Sequence, residues 1–366
     1  MATGFCPYLL QHIGEISQSA NPMYKVQPPG LINMLLTAGN PNAVRYDQGD
    51  GHRRAVQVKY RPRFTVAQTD TSKSCDQSLS PAYTEMAVTV GNTRQISFYI
   101  DDNTMEQYCS DASNTVALGK PATSLMNNEI MDVIMSSANA LLQGINQDLW
   151  GLLAWGHNNV TGVSIATNVN LPQNATTQTL SEGMTKILGD YGKTFLTGRP
   201  QIVGSGLVYN YFLQQFAKST DTFGINSKIM AGQTDFWFDN YAGTSLSNAN
   251  AFGVFEPGSV QIVKMLHYRG FQAGQKPGAS TFFTIPLPIQ IGADVVPYEV
   301  DGQLRYYDCP TTLTDAYSGA SITVNKGYQV ILSSNFGLWQ LPSDSYRVDD
   351  PNYAVNGALR YIATNN

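Results

Sequence analysis

The stretch SLMNNEIMDVIMSSANALLQGINQDLWGLLAW, residues 124–155, decides how the rest of the chain is read. Ile130, Ile134, Ala138, Leu141, Ile145, Leu149 and Leu152 recur at spacings of four and three, which places them on one side of an α-helix. An unbroken helix over this span would be roughly 48 Å long. Gly144 weakens its centre, and Pro121 lies just upstream, where a helix start tolerates it. No heptad is sustained over several repeats, so a coiled coil is disfavoured. Few charges mark the opposite side, and the helix is expected to be covered on more than one side.

Upstream of the helix, Val56, Val58, Tyr60, Phe64 and Val66 alternate with Gln57, Lys59, Arg61, Arg63 and Thr65, the period of a half-buried strand. Pro62 falls on the apolar side and points to an edge position. After a polar stretch from Gln68 to Ser80 the chain returns through Met86, Val88 and Val90, then Ile96, Phe98 and Ile100. The pattern predicts one long hairpin with a polar tip. Its arms exceed the usual strand length, and a two-stranded ribbon that long needs support from another body. The expected cover is a neighbouring subunit, against which Val58, Tyr60, Phe64 and Val88 would pack. Arg61 and Arg63, with Arg53, Arg54 and Lys59, would then reach a neighbour's acids or nucleic acid, or form a solvated polar face. Residues 1–50 are punctuated by Asn21-Pro22, Pro28-Pro29-Gly30 and Asn40-Pro41. Tyr8, Leu9, Leu10, Met34, Leu35 and Leu36 make them too apolar for a disordered tail. They read as an arm that lies on something else, with a short helix over Leu31–Leu36.

Downstream of the helix the pattern is mixed. Helices are expected over Thr179–Tyr191 and Leu207–Lys218. Strands are expected at Gln201–Val203, Phe236–Phe238, Val260–Leu266, Phe282–Ile291, Gln303–Tyr307, Tyr328–Phe336 (entered through Gly327) and Val355–Ile362. The class is α+β, with no internal repeat.

Composition bears on partners. Only 13% of the 366 residues are charged, against about 25% in typical soluble domains. Lysine and glutamate are depleted at interface cores, so a chain this poor in charge either hides much of its surface against partners or carries a neutral polar extracellular surface. The net charge of -5 argues against a dedicated nucleic-acid binder. Cys6, Cys75, Cys109 and Cys309 are scattered and form no CxxC pair; reduced thiols are expected. The first residues lack the basic and apolar regions of a secretory signal, and no run approaches the length of a membrane span.

Motifs for chemistry are sparse. Gly204-Ser205-Gly206 follows a strand and precedes a helix, as a dinucleotide loop would, but the third glycine position is Tyr209 and no regular βαβ series surrounds it. A glycine turn closing strand to helix is the better reading. There is no P-loop and no GxSxG elbow. His12, His52, His157 and His267 lie far apart, and no metal-ligand spacing occurs. The pairs Asp101-Asp102 and Asp349-Asp350 read as turn or cap residues. Asn159-Val160-Thr161 and Asn174-Ala175-Thr176 are glycosylation sequons of the kind an Asn/Thr-rich chain holds by chance. No catalytic residue, cofactor site or metal site is expected.

An apolar arm, a long hairpin, a very long helix, an α/β body and returning strands form an uncommon order. It resembles the major capsid proteins of tailed bacteriophages, the Hong Kong 97-type fold also seen in encapsulin shells. The resemblance implies an N-terminal arm at 1–50 and an extended hairpin loop at 51–102. It implies a peripheral domain with its spine helix at 103–155, an axial domain at 156–250, further peripheral strands at 251–341 and a return to the axial domain at 342–366. It also implies self-assembly into hexamers and pentamers of an icosahedral shell, made in the host cytoplasm. Scaffold, portal and decoration proteins would be separate chains, and packaged DNA would lie on the inner wall without sequence-specific binding. The competing readings are a secreted carbohydrate-binding or glycan-hydrolysing protein, and another phage structural protein of the tail or portal.

Overall fold

The computed structural model describes residues 30–37, 45–47, 55–60, 84–107, 110, 129–155, 158–159, 167–171, 177–193, 196, 198–217, 234–246, 248–265, 280–291, 294–307, 311–314, 319–324, 326–342, 353–354 and 356–364. In chain order the elements are helix α1 (Gly30–Thr37) and strands β1 (Arg45–Asp47), β2 (Ala55–Tyr60), β3 (Thr84–Thr89) and β4 (Asn92–Asp101). The long helix α2 (Glu129–Leu152) follows, then β5 (Asn158–Asn159), β6 (Thr167–Asn170), α3 (Thr177–Lys193), β7 (Gln201–Gly204), α4 (Gly206–Ala217), β8 (Asp235–Phe238) and the short helix α5 (Tyr241–Ser245). The remaining strands are β9 (Ala251–Phe255), β10 (Val260–Met265), β11 (Ser280–Ile291), β12 (Asp294–Tyr307), β13 (Thr311–Thr314), β14 (Ser321–Val324), β15 (Gly327–Gln340), β16 (Tyr353–Ala354) and β17 (Ala358–Thr364). The chain divides into two compact units, each assembled from discontinuous stretches: 1–28, 91–145 and 264–336 in the first, 29–90, 146–263 and 337–366 in the second.

Within the first unit, β15 pairs antiparallel with β4 from Gly327↔Asp101 to Phe336↔Asn92. It also pairs with β12 from Asp301↔Ser333 to Tyr307↔Gly327. β12 and β11 form a long hairpin in register from Ser280↔Arg305 to Ile291↔Asp294. Three prolines sit where this sheet tolerates a missing N–H. Pro286 and Pro288 lie on the outer strand β11, and Pro297, opposite Pro288, lies in the part of β12 that β15 does not reach. Gly327 has a φ of +153°, and a Cβ there would collide with the Tyr99 hydroxyl and the Ile100 carbonyl; only glycine fits. The core takes Ile134, Ala138, Leu141 and Ile145 from α2, together with Ile100, Ile285, Tyr298, Val300, Val330 and Leu332, all buried. From Ile134 to Leu149 the stripe expected from the 3.6-residue period is therefore the buried one, and α2 runs without a break through Gly144; the Ile130 side chain lies outside the described residues. Leu152, expected on the same stripe, is 41% exposed. β13 and β14 form a separate two-stranded hairpin that the sequence pattern did not reveal.

In the second unit five strands lie in the order β6-β17-β9-β7-β8. β17 with β6 and β7 with β8 are parallel, while β9 runs antiparallel to both β17 and β7. On one face Ile202, Phe252, Val254, Leu359, Tyr361 and Ala363 pack with Met184 and Ile187 of α3 and Val208, Tyr211 and Phe212 of α4. On the other, Phe255 meets the rings of Trp150 and Trp155. Both faces being covered, every residue of β7 and β9 is buried. β9 lies between β17 and β7, and this unit continues past residue 250.

Candidate assembly surface

The hairpin expected over 55–100 exists only in part. β2 pairs with β3 from Ala55↔Thr89 to Tyr60↔Thr84, and β1 joins the outer edge of β2. The return strand then breaks at Val90-Gly91; its continuation, β4, pairs with β15 in the other unit. Among the described residues the ribbon is thus three-stranded, and its return strand ends at Thr89, because the second half of the apolar pattern belongs to another sheet.

Of the residues expected at an interface, Val58 is 0% and Val88 5% exposed in the single chain. Tyr60 packs on the buried Trp339, ring centroids 5.9 Å apart. Gly337, two residues before that indole, brings bare backbone against Thr89, where a Cβ would also press on Val88. Tyr60 and Val88 are therefore met by the chain's own β15 end, while Met86 of the same row is 38% exposed. Gln57, Glu85, Ala87 and Thr89 are exposed, which leaves the opposite face of the ribbon polar and open. Phe64, Arg61 and Arg63 lie outside the described residues, as do the four cysteines, the four histidines, the Gln68–Ser80 tip and Asp349-Asp350.

A second surface was not anticipated as exposed. β8 is the last strand of its sheet among the described residues, and its Phe238 is 45% exposed. Tyr209 and Leu213, one turn apart on α4, are 38% and 46% exposed. The Tyr209 ring lies 5.4 Å from that of Phe238 and 5.5 Å from that of Phe236. Beside them opens a cavity of about 560 Å³ lined by Gln201, Tyr209, Phe212, Leu213, Thr234, Asp235, Phe236 and Trp237. Its rim carries the exposed Arg199–Asp235 pair at 3.2 Å. The aromatic run was legible in the sequence; which side of it would face solvent was not.

A densely bonded polar group of the second unit is Asp239, 1% exposed. Its carboxylate accepts the Leu31 backbone N–H at 3.0 Å, the Trp150 indole N–H at 3.1 Å, the Tyr241 backbone N–H at 2.8 Å and the Asn146 amide at 3.0 and 3.2 Å. The Asp239-to-Tyr241 bond is an N-cap of α5 that the residue types allow one to expect. The other three partners come from distant parts of the chain and left no local signal.

Further polar groups sort into supports. Asp101 accepts the Thr104 N–H at 2.8 Å and the Thr104 hydroxyl at 2.6 Å, capping a helical turn at 102–107. Those bonds hold its carboxyl below the usual range, which matches the cap expected of the acidic pair. Burial lowers Lys264 to about 8, partly opposed by Glu299, and its ammonium sits 3.8 Å from the centre of the Tyr298 ring. Burial likewise pushes Tyr298 up to about 12, although the hydroxyl contacts Ser334 Oγ at 3.2 Å. Gly204 and Gly206 close β7 onto α4 as a plain turn: a Cβ on Gly204 would press on Phe252 and Val208, and Ser205 donates to the Ala249 carbonyl at 2.9 Å. Among the described residues no three His, Cys, Asp or Glu side chains come together as metal ligands. No helix among them is long and apolar enough to cross a membrane.

No protein-family model and no curated protein sequence matches the chain. Solved structures of shells are similar to it over nearly its whole length. The capsid asymmetric unit of cyanophage A-1(L) is 14% identical, with 94% of this chain and 95% of that chain covered and a TM-score of 0.44. The capsid of cyanophage P-SCSP1u is 11% identical, with 95% and 92% covered and a TM-score of 0.42. A virus-like particle from Pyrococcus furiosus is 9% identical, with 97% and 98% covered and a TM-score of 0.41. The fold of this chain is mixed helix and sheet, and its structural neighbours are phage capsids and shells of that kind.

Proposed function

We propose that this chain is a major capsid subunit of the Hong Kong 97 type, which assembles with copies of itself into an icosahedral shell around a DNA genome. The observation that carries the reading is the interleaving of the two units. The chain passes between them five times, and three of the crossings fall inside elements: after Ile145 in α2, after Val263 in β10 and after Phe336 in β15. The first unit, with α2 and the long strands, takes the part of a peripheral domain. The second, with its five-stranded mixed sheet and two covering helices, takes that of an axial domain. The low charge content, 13%, suits a subunit that hides much surface against neighbours.

The segment from Arg61 through the polar tip to Ser80 serves contacts between subunits in this reading, with Arg61, Arg63 and Phe64 at the neighbour and the arm before α1 crossing to another. Hexamers and pentamers form in the host cytoplasm with the help of separate scaffold and portal chains, and the virion is the final location. A net charge of -5 makes for loose contact with packaged DNA, without sequence reading.

The test is expression of the chain alone and beside its neighbouring structural proteins, followed by size-exclusion chromatography and negative-stain microscopy. Closed shells or ring-shaped capsomers are expected. A species that stays monomeric at high concentration under both conditions would refute the assignment. Replacing Thr69–Ser80 by a short glycine-containing turn is expected to leave the circular dichroism of the free subunit unchanged while reducing closed shells.

A further inference from the structure

α1 lacks the means to hold itself in place. It is short for a stable helix, Pro29 precedes it and cannot cap it with a side-chain oxygen, and no acidic residue stands in its first turn. Two features from elsewhere in the second unit seat it. Gly30 lies so close to β8 that a Cβ would collide with the Phe238 carbonyl oxygen. The next residue, Leu31, gives its backbone N–H to Asp239, 208 positions away. Leu31, Ile32, Met34 and Leu35 are then buried.

The Asp239 carboxylate is itself held by fixed donors. The Trp150 indole and the Asn146 amide reach it from the last turns of α2. Asn146 turns its amide nitrogen toward Asp239 and leaves its own Oδ1 buried without a partner. Tyr241 N–H fixes the other oxygen from α5, and the Asp239 backbone N–H donates to Gly204 of β7 at 2.9 Å. The acceptor is thus immobilised from three sides, while α1 contributes one donor and a set of apolar contacts. Removing that donor leaves the remaining network intact; removing the acceptor leaves α1 uncapped.

We propose that Asp239 is the latch of α1, and so the residue that fixes the point at which the N-terminal arm joins the second unit. α1 is a strap held by one capped amide and a close glycine contact, and it detaches without loss of the sheet beneath it. The effect on shells rests on the capsid reading above; the latch itself does not. An arm that begins from a loose strap has no fixed starting point, and contacts it makes with neighbours lose their register.

The experiment is hydrogen exchange by mass spectrometry on the full-length free subunit, with Asp239→Asn and, independently, Gly30→Ala. Asparagine keeps the Tyr241 cap with its oxygen but turns an amide nitrogen toward Leu31 and Trp150, where only donors face it. Alanine displaces α1 from β8 while leaving the carboxylate and its other partners in place. Both variants are expected to speed exchange in the peptide covering α1 roughly tenfold or more, with β7 and β9 as protected as in the wild type. Unchanged exchange of α1 in Asp239→Asn overturns the proposal. So does simultaneous loss of protection in α1, β7 and β9 in both variants, which would make Asp239 a general core group. Microscopy of assembly products is then compared. Misshapen or absent shells from both variants support the arm-positioning role, and normal shells from a subunit with a released α1 overturn it. Failure of the wild type to assemble would fall on the capsid reading and leave the exchange result standing.

Discussion

Replacing Lys264 by methionine offers a pH-resolved test of the core of the first unit. Lys264 lies on β10 with its ammonium over the Tyr298 ring at 3.8 Å, and Tyr298 is fully buried. Burial lowers the lysine from 10.5 to about 8, and Glu299 only partly offsets that. Between pH 8 and 10.5 the unfolded chain therefore holds a proton that the folded chain has released. Stability rises with pH wherever the unfolded state binds more protons. Below pH 8 the folded unit carries the whole cost of the desolvated charge, about 3 kcal/mol at 1.36 kcal/mol per pKa unit. The cation–π contact returns roughly 1 kcal/mol of it. The wild type is expected to gain about 2 kcal/mol in unfolding free energy from pH 7 to 10 relative to Lys264→Met, and the variant to be the more stable at pH 7. Above pH 10 the sign reverses for Tyr298. Its folded value of about 12 exceeds the ordinary one, so stability present below pH 10 is lost toward 12 in both proteins. The assay is urea unfolding of the free subunit at pH 7, 8, 9 and 10. Parallel pH profiles for wild type and variant would refute the reasoning and show the amine to be solvated in the folded state.

Three other substitutions probe the fold. Leu141→Asp places an unpaired charge in the buried stripe of α2 and should cost several kcal/mol, on the order of a domain's whole margin; recovery of soluble, normally melting subunit would contradict it. Gly327→Ala drives a Cβ into Tyr99 and Ile100 at a backbone angle that L-residues avoid, with an expected loss of roughly 1–3 kcal/mol in urea unfolding. Trp339→Ala removes the cover from Tyr60 and the β2–β3 ribbon, at about 3–5 kcal/mol. Hydrogen exchange should show β2 and β3 losing protection while β6 and β17 keep theirs.

What the sequence determined by itself is what a local period can carry. Helix α2 was legible because Ile134, Ala138, Leu141, Ile145 and Leu149 repeat with the turn of a helix that buries one side, and all of them are buried. Helices α1, α3 and α4 and the strands β7, β8, β10, β15 and β17 followed from the same reasoning. The start of α4 and the start of β15 were marked by glycines, at Gly204-Ser205-Gly206 and at Gly327. The tertiary structure alone decided which strands meet. Val56–Tyr60 and Met86–Val90 share one alternation with Ile96–Ile100, and nothing local says that the chain changes sheets at Val90-Gly91. β9 escaped notice for the opposite reason: with both faces covered, Ala251–Phe255 has no alternation to read. Asp239 shows the same limit among polar groups. Its cap on Tyr241 is a neighbour effect, but its hold on Leu31, Asn146 and Trp150 exists only once three remote segments are folded together. Periodicity records how each segment meets a surface, and the identity of that surface is a non-local fact that pairing and packing of the whole chain supply.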